Sequence, residues 1–360
     1  MLRKNLWYFL VVFLLTFCGS CVDGKTSTPF ITSTSTGPFT PIPTNTPATA
    51  SFTLASMGDG QAETVNFTAT VNQIATLNPK FVIFNGDLGV DGVESGEMNP
   101  MITALKEAGL FNNTFLVRGN HDDHVRGSAA LWEIYFETSP NIKTLPAGVT
   151  DYVSMSPRTD TTNYSFTYGN SIFIGLDVPG RVDLLTSREV NFLDARLAFA
   201  EGKGLTHAFI FFHGPLYCVE SIHCSCSAKA DASCTPESLV SVINKHPIVS
   251  ASFHGHEHIL GWVHMDSTRV AGLTGSFEEF LTSPSGGWTY NSTLYPARMD
   301  YTYMSDESSQ GFAAISVNGD SFTFSIYKVG SNLSVWSKTF SKSGSLPATT
   351  SISPTNTPTP

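Results

Sequence analysis

Five short polar clusters recur along this chain, and an apolar run directly precedes each of the last four. In order, the clusters are Asp59-Gly60-Gln61, Gly86-Asp87, Gly119-Asn120-His121-Asp122, His213 and Gly255-His256-Glu257-His258. The apolar runs predict buried strands over 81–84, 115–117, 208–212 and 248–253. Because strand ends deliver side chains to one rim of an α/β sheet, we expect these carboxylates, amides and imidazoles to form a metal site.

The joint order of these clusters resembles the calcineurin-like metallophosphoesterase superfamily. That family's pattern runs D-x-H, G-D, G-N-H-D/E, a lone H and G-H-x-H, and through its motifs the resemblance covers about residues 50 to 340. One position departs from the pattern, since Gln61 stands where His is usual. The resemblance implies an α/β fold, a four-layer α/β/β/α sandwich of two mixed sheets flanked by helices.

The resemblance also implies two bound divalent metal ions, with Mn, Fe, Zn, Mg and Ca all left open. Carried over residue by residue, the ligands of the first metal are Asp59, Gln61, Asp87 and His258, and those of the second are Asp87, Asn120, His213 and His256. An amide oxygen is a harder and weaker donor than imidazole, so Gln61 favours Mn²⁺, Mg²⁺ or Ca²⁺ over Zn²⁺. In the alternative, the Gln61 side chain points away from the first metal, and of the first cluster only Asp59 is a ligand.

Three further residues beside the third cluster are assigned roles in catalysis by resemblance. His121 resembles the family's general acid, since an imidazole exchanges protons near neutral pH, and Asp122 is predicted to orient it through the other ring nitrogen. The stretch 117–121 is similar to that of Ser/Thr protein phosphatases, whose Arg contacts the phosphate, so Arg118 is predicted to bind substrate. A structural ion pair of Arg118 with a nearby carboxylate is an equal alternative.

Purple acid phosphatases share the order of the five clusters but differ at two positions. They carry a Tyr three residues after the bridging Asp, where this chain has Val90, and their first cluster is D-x-G. The chain is therefore predicted to lie outside that subfamily.

The two ends of the chain differ in composition from its middle. Arg3 and Lys4 precede an apolar run over 6–17, the layout of a secretory signal peptide. We predict a signal peptide over 1–21, a Ser/Thr/Pro-rich linker over 22–50, a phosphoesterase domain over 51–341 and a Ser/Thr/Pro-rich tail over 342–360. The protein is expected to be secreted or at the cell surface, where the tail suggests a tether. Cys21 loosely resembles a lipoprotein cleavage box, so lipid anchoring is a second alternative.

Four cysteines lie close together after His213. They are Cys218, Cys224, Cys226 and Cys234. In an exported protein they favour two disulfides that close one loop, with three pairings open. A zinc site is the weaker alternative, because the two middle cysteines lack the usual C-x-x-C spacing. The loop is expected to overhang the metal site.

The middle of the chain alternates between predicted strands and helices. Apolar periodicity predicts helices over 63–77, 100–108, 129–136, 188–200 and 236–244. Beyond residue 260 the pattern favours strands, which end in a hairpin over 312–317 and 322–327.

Together these features predict an exported dimetal phosphoesterase. It would hydrolyse a phosphorylated small molecule or a phosphodiester by attack of a metal-bridging hydroxide. The net charge of −10 argues against nucleic acid as a main partner. The alternative is a stalk-borne surface or glycan-binding protein with a vestigial phosphoesterase site, against which the retained set of ligand-type residues argues.

Overall fold

The computed structural model describes ten stretches of the chain. These are residues 51–61, 63–90, 96–123, 132, 145–156, 160–178, 185–219, 232–289, 298–303 and 310–342. The predicted signal peptide and linker, nearly all of the tail and of the helix over 129–136, and Cys224 and Cys226 lie outside them. Within the described stretches, no helix combines the length and the apolar character needed to cross a membrane.

Strands make up most of the regular structure. Those described are β1 (Ser51–Met57), β2 (Val82–Asn85), β3 (Thr114–Val117), β4 (Val149–Ser156), β5 (Asp160–Tyr168), β6 (Ser171–Gly175), β7 (His207–Phe211), β8 (Val249–His254), β9 (Leu260–Met265), β10 (Phe277–Thr282), β11 (Tyr301–Tyr303), β12 (Gly311–Asn318), β13 (Ser321–Lys328) and β14 (Trp336–Ser341). The described α-helices are α1 (Thr64–Thr76), α2 (Met98–Glu107), α3 (Ser187–Gly202) and α4 (Glu237–Lys245).

The strands form two mixed sheets. The first has the order β14-β13-β12-β1-β2-β3, and the second has the order β11-β9-β10-β8-β7-β6-β5-β4. In the first sheet β1, β2 and β3 are parallel, and β12 runs antiparallel to β1. In the second sheet β6, β7, β8 and β10 are parallel. The predicted strands that precede the polar clusters are therefore confirmed as neighbouring parallel strands, each within one residue of its expected bounds.

Phenylalanine fills the space between the two sheets. The rings of Phe280 and Phe324, from opposite sheets, stack with centroids 3.8 Å apart, and those of Phe81 and Phe173 meet edge to face at 4.9 Å. Such ring pairs stabilise a core beyond the area that they bury. Every residue of β7 and β8 is buried, as is typical of parallel strands that are covered on both faces.

Helices cover the outer face of each sheet. Apolar side chains of α1 and α2 pack on the first sheet in one cluster, and those of α3 and α4 pack on the second sheet in another. The predicted four-layer α/β/β/α sandwich is thus confirmed.

The start of α3 and the turn between β12 and β13 follow local sequence rules. Thr186 caps α3 in a capping box with Glu189, whose carboxylate accepts the Thr186 N–H at 2.7 Å. The predicted hairpin is β12–β13, and its turn carries Gly319 at φ 59°. A positive φ favours glycine, so the turn and its strand register follow from the Asn-Gly-Asp sequence.

Candidate metal centre

The candidate metal centre lies at the carboxyl ends of five strands, three parallel strands of the first sheet and two of the second. In the first sheet, β1, β2 and β3 are followed by Asp59, Asp87 and Asn120. In the second sheet, β7 and β8 are followed by His213 and His256. Because the two sheets pack face to face, these loops converge at one edge of the sandwich.

The loops that carry these side chains are tightly turned. Eight non-glycine residues have positive φ in the described part of the chain, and five of them are predicted ligands: Asp59, Gln61, Asp87, His256 and His258, with φ from 46° to 69°. Such a backbone costs free energy and concentrates at functional sites. Local strain therefore marks the same residues as the sequence motifs.

The first predicted metal position lies at His258. Its Nδ1 donates a hydrogen bond to the carbonyl oxygen of Trp288 at 2.5 Å, so Nε2 is the ring nitrogen that faces the site. That Nε2 lies 3.2 Å from Oδ1 of Asp59, and this buried oxygen has no hydrogen-bond partner. The other oxygen of Asp59 accepts the N–H of His256 at 2.9 Å. The imidazole of His258 and the carboxylate of Asp59 thus face each other in the buried interior, as two ligands of one cation do.

Gln61 lies beside this position and is buried. Its Nε2 is 3.1 Å from Nε2 of His258, and its Oε1 has no hydrogen-bond partner. Rotation of the terminal amide by half a turn exchanges these two atoms, and would bring the oxygen to the metal position. The residue that departs from the family pattern therefore lies beside another predicted ligand, His258.

The second predicted metal position lies at His213. Its Nδ1 donates to the carbonyl oxygen of Asn85 at 2.7 Å, so Nε2 is the ring nitrogen that faces the site. This Nε2 is 3.0 Å from Oδ1 of Asn120, 3.3 Å from Oδ2 of Asp87 and 3.2 Å from Nδ1 of His256. Amide, carboxylate and imidazole groups of the types that bind divalent metals converge there.

The buried charges of the site favour positive charge at its centre. Burial alone would raise the pKa of Asp87, but His213 and its neighbouring imidazoles hold it well below its usual value. Burial likewise opposes the charged form of His213, yet Asp87 raises its pKa to about 9. Ligand atoms of Asp59, Asp87 and His213 all lie within 4.8 Å of one another. The donor set of carboxylate, amide and imidazole groups therefore fits divalent metal ions.

Glycines let the backbone approach the carboxylates closely. A Cβ on Gly119 would lie 2.0 Å from Oδ1 of Asp87, and one on Gly255 would lie 2.5 Å from Oδ2 of Asp59. Any side chain at either position would displace a predicted ligand. The glycines of the motifs are therefore required by packing around the site.

The predicted role of Asp122 is wrong in this structure. Its oxygens accept four backbone N–H groups at 2.8 to 3.1 Å, those of Asp87, Leu88, Gly89 and Gly119. Nδ1 of His121 instead contacts the carbonyl oxygen of Val90 at 2.8 Å. Burial, and then the charge of Asp87, raise the pKa of Asp122 to about 7. Asp122 therefore holds two ligand loops together and does not orient His121.

His121 itself lies at the edge of the metal positions. Its backbone N–H donates to Oδ1 of Asp87 at 2.8 Å, and its Nε2 is 4.0 Å from Oδ2 of the same carboxylate. The side chain is 23% exposed. The imidazole is thus open to solvent and next to the carboxylate predicted to be shared by both metals, a position compatible with the predicted role of general acid.

Arg118 is held by two carboxylates. Its Nε and Nη2 donate to the two oxygens of Asp177 at 2.9 and 2.6 Å, and its Nη1 donates to Asp123 at 2.5 Å. This arrangement is the structural ion pair that was the alternative to substrate binding by Arg118. Contact with a phosphate would require the guanidinium to release one of the two carboxylates, and Asp123 is the more exposed of them.

The sequence did not reveal two kinds of supporting group. One is the backbone carbonyls that orient the ligand imidazoles, and the other is the carboxylate that holds the start of the cysteine loop. The carbonyls of Asn85 and Trp288 fix the two imidazoles, and no sequence signal marks a backbone carbonyl. The buried carboxylate of Glu257 accepts the N–H of Val219, next to Cys218, at 2.9 Å. Its place between two predicted ligands was the signal that could have indicated a structural role.

Comparison with known proteins identifies the family and the fold. The calcineurin-like phosphoesterase family model matches residues 53–260, which is more than half of the chain. No curated protein matches the chain. Purple acid phosphatase PPD1 from yellow lupin (Lupinus luteus) seeds has a TM-score of 0.59 at 15% identity, over 81% of this chain and 54% of that one. This chain therefore spans about half the length of the lupin enzyme.

Two further solved structures are similar. A dimetal phosphatase from Danio rerio has a TM-score of 0.52 at 14% identity, over 81% of this chain and 99% of that one. PhoD has a TM-score of 0.55 at 13% identity, over 82% of this chain and 71% of that one. At these identities the likeness shows the fold alone. On the family match, this chain belongs to the calcineurin-like phosphoesterase family.

Proposed function

We propose that this protein is an exported enzyme that hydrolyses phosphomonoesters or phosphodiesters with two divalent metal ions. The observation that carries the proposal is the convergence of metal-ligand side chains, above all Nε2 of His213 at 3.0 Å from Oδ1 of Asn120 and 3.3 Å from Oδ2 of Asp87. A site that had lost its chemistry would be expected to lose several of these ligand-type residues. The family match supports the reaction class.

The two metal sites would share Asp87. Asp59, Gln61 and His258 complete one ligand set, and Asn120, His213 and His256 complete the other. When bound, the ions orient a phosphate, acidify a water and neutralise developing negative charge. Backbone carbonyls hold Nδ1 of both His213 and His258, so each presents Nε2 at a fixed angle.

His121 would supply the proton for the leaving oxygen. Because Nδ1 contacts the Val90 carbonyl, Nε2 is the atom that faces the site. A proton on Nε2 passes to the oxygen of the departing alcohol, and solvent restores it.

A hydrolysis screen on purified protein tests the proposal. Mono- and diester phosphates are offered while metal content is measured, and we expect hydrolysis that a chelator abolishes and added Mn²⁺ restores. An Asp87→Asn preparation, purified identically, controls for contaminating phosphatases. Metal-loaded protein that hydrolyses no ester would contradict the proposal and favour the vestigial alternative.

Gln61 gives a prediction about metal selectivity. Since its amide is a weaker donor than imidazole, purified protein should contain fewer than two metals and gain activity on addition of Mn²⁺. Gln61→His should raise zinc occupancy, as measured by elemental analysis. If Gln61→Ala left metal affinity and rate unchanged, Gln61 would not be a ligand.

The cysteine loop supports export. We propose two disulfides among the four cysteines, and the finding that Cys218 and Cys234 are both disulfide-bonded supports this. Full reduction of the native protein should add four hydrogens by mass spectrometry and make the loop sensitive to protease. Free thiols together with stoichiometric zinc, retained in Asp87→Asn, would support the zinc alternative instead.

A further inference from the structure

One exposed aromatic side chain adjoins the metal centre. In the described part of the chain, the exposed large hydrophobic side chains are Val65, Val153, Trp288 and Leu333. Trp288 is the one aromatic among these, and its side chain is 56% exposed. It is also the one whose own peptide unit contacts a predicted metal ligand, because its carbonyl oxygen accepts from Nδ1 of His258.

The segment that carries this indole is fixed to the first metal loop. In this segment, residues 283–289, the N–H and the hydroxyl of Ser285 both donate to the carbonyl of Gly58, at 2.8 and 2.7 Å. The N–H of Gly287 donates to the carbonyl of Asp59 at 2.8 Å. Thr70 donates to the carbonyl of Ser285 at 2.6 Å. Hydrogen bonds on both sides of the chain therefore fix the backbone from which the indole projects.

Close packing of glycines keeps the segment against the metal loop. A Cβ on Gly286 would lie 2.7 Å from the carbonyl oxygen of Gly60, and one on Gly287 would lie 2.6 Å from Oε1 of Gln61. The glycines directly before Trp288 thus let its backbone reach the loop that bears two predicted ligands. One imidazole ring, that of His258, separates the Trp288 carbonyl from the predicted metal position.

We propose that the Trp288 indole is a specificity-determining surface that stacks against the planar aromatic part of a phosphoester substrate, an aryl or heteroaromatic leaving group. The proposal rests on the proposed phosphoesterase function. An indole has a large flat face and only two side-chain torsions, so it stacks on a planar group at low entropic cost. Because its carbonyl contacts the ring of the predicted ligand His258, Trp288 adjoins the place where a phosphate would bind, and the fixed backbone limits where the indole can move.

Activity measurements test the selectivity. For wild type, Trp288→Ala and Trp288→Phe, kcat/KM is measured for 1-naphthyl phosphate and for ethyl phosphate. Trp288→Ala should lower the ratio of the two values about tenfold, mainly through KM, which is the size of one base-on-aromatic stacking contact. Trp288→Phe should restore most of the ratio, because it keeps an aromatic face.

A matched control separates stacking from loss of an exposed apolar group. Leu333→Ala removes a side chain that is 79% exposed and that has no place in the metal site, so it should leave the ratio at the wild-type value. Metal content of each variant is measured alongside. An unchanged ratio in Trp288→Ala would overturn the proposal, as would an effect confined to phosphocholine, which would indicate recognition of a cation by the indole.

Binding without turnover keeps this proposal distinct from the proposed function. 1-Naphthylphosphonate has no ester bond, and calorimetry should show that Trp288→Ala weakens its binding about tenfold relative to ethylphosphonate. Ester hydrolysis with no dependence on Trp288 would overturn the stacking proposal and leave the function standing. Binding that depends on Trp288, with no hydrolysis of any ester, would support stacking and contradict the proposed function.

Discussion

Asp87→Asn is expected to remove bound metal and to lower kcat/KM at least about a thousandfold. The carboxylate is buried, and its Oδ2 lies 3.3 Å from Nε2 of His213. An amide in its place carries no charge and cannot serve both metal positions equally. Its N–H₂ group would also compete with a cation for the lone pair of His213. Elemental analysis and steady-state kinetics measure the two effects.

An Asp→Asn change elsewhere provides the control. Asp151 forms an exposed ion pair with Lys203, and Asp151→Asn should leave metal content and kcat/KM near wild type. Circular dichroism establishes that both variants are folded. Wild-type metal content and rate in Asp87→Asn would contradict the assignment of Asp87 as the shared ligand.

His121→Ala is expected to lower the rate by about 10²- to 10⁴-fold for alkyl phosphates, and far less for p-nitrophenyl phosphate. An alkoxide is a poor leaving group without a proton, whereas p-nitrophenolate leaves unaided. The contact of Nδ1 with the Val90 carbonyl leaves the ring outside the predicted ligand sets, so metal content should stay near wild type. The backbone N–H that donates to Asp87 remains in the variant.

The measurement is a series of leaving groups at constant metal occupancy. A steeper dependence of log kcat/KM on the acidity of the leaving alcohol in His121→Ala supports the acid role. Equal losses across the series, or loss of metal, would remove it. Asp122→Asn is the informative comparison, because Asp122 holds the loops by backbone hydrogen bonds, and it should lower stability and affect all esters alike.

The pattern of apolar residues predicted the strands next to the metal centre better than the strands at the far edge of the second sheet. The apolar runs before Asp87 and His213 are continuous and short, so a buried parallel strand is the natural interpretation, and the structure contains both strands. No strand was predicted over Val149–Ser156 or Asp160–Tyr168, which form the far edge of the second sheet. These two strands mix polar and apolar residues, and their pairing contains register shifts. The alternation of polar and apolar residues that would predict a strand is therefore weak there.

The sequence by itself determined the order of the polar clusters, the strands that precede them and the family that their spacing indicates. These features are local, because strand periodicity and turn-forming glycines act over a few neighbouring residues. Tertiary structure alone decided the partners of individual side chains. Asp122 bonds the backbone at 87–89, although it was expected to orient His121, and Arg118 bonds Asp177, the outcome that the sequence had left level with substrate binding. Hydrogen-bond partners that lie 33 to 59 residues apart in the chain are chosen by the packing of loops from separate strands, and no local pattern records that choice.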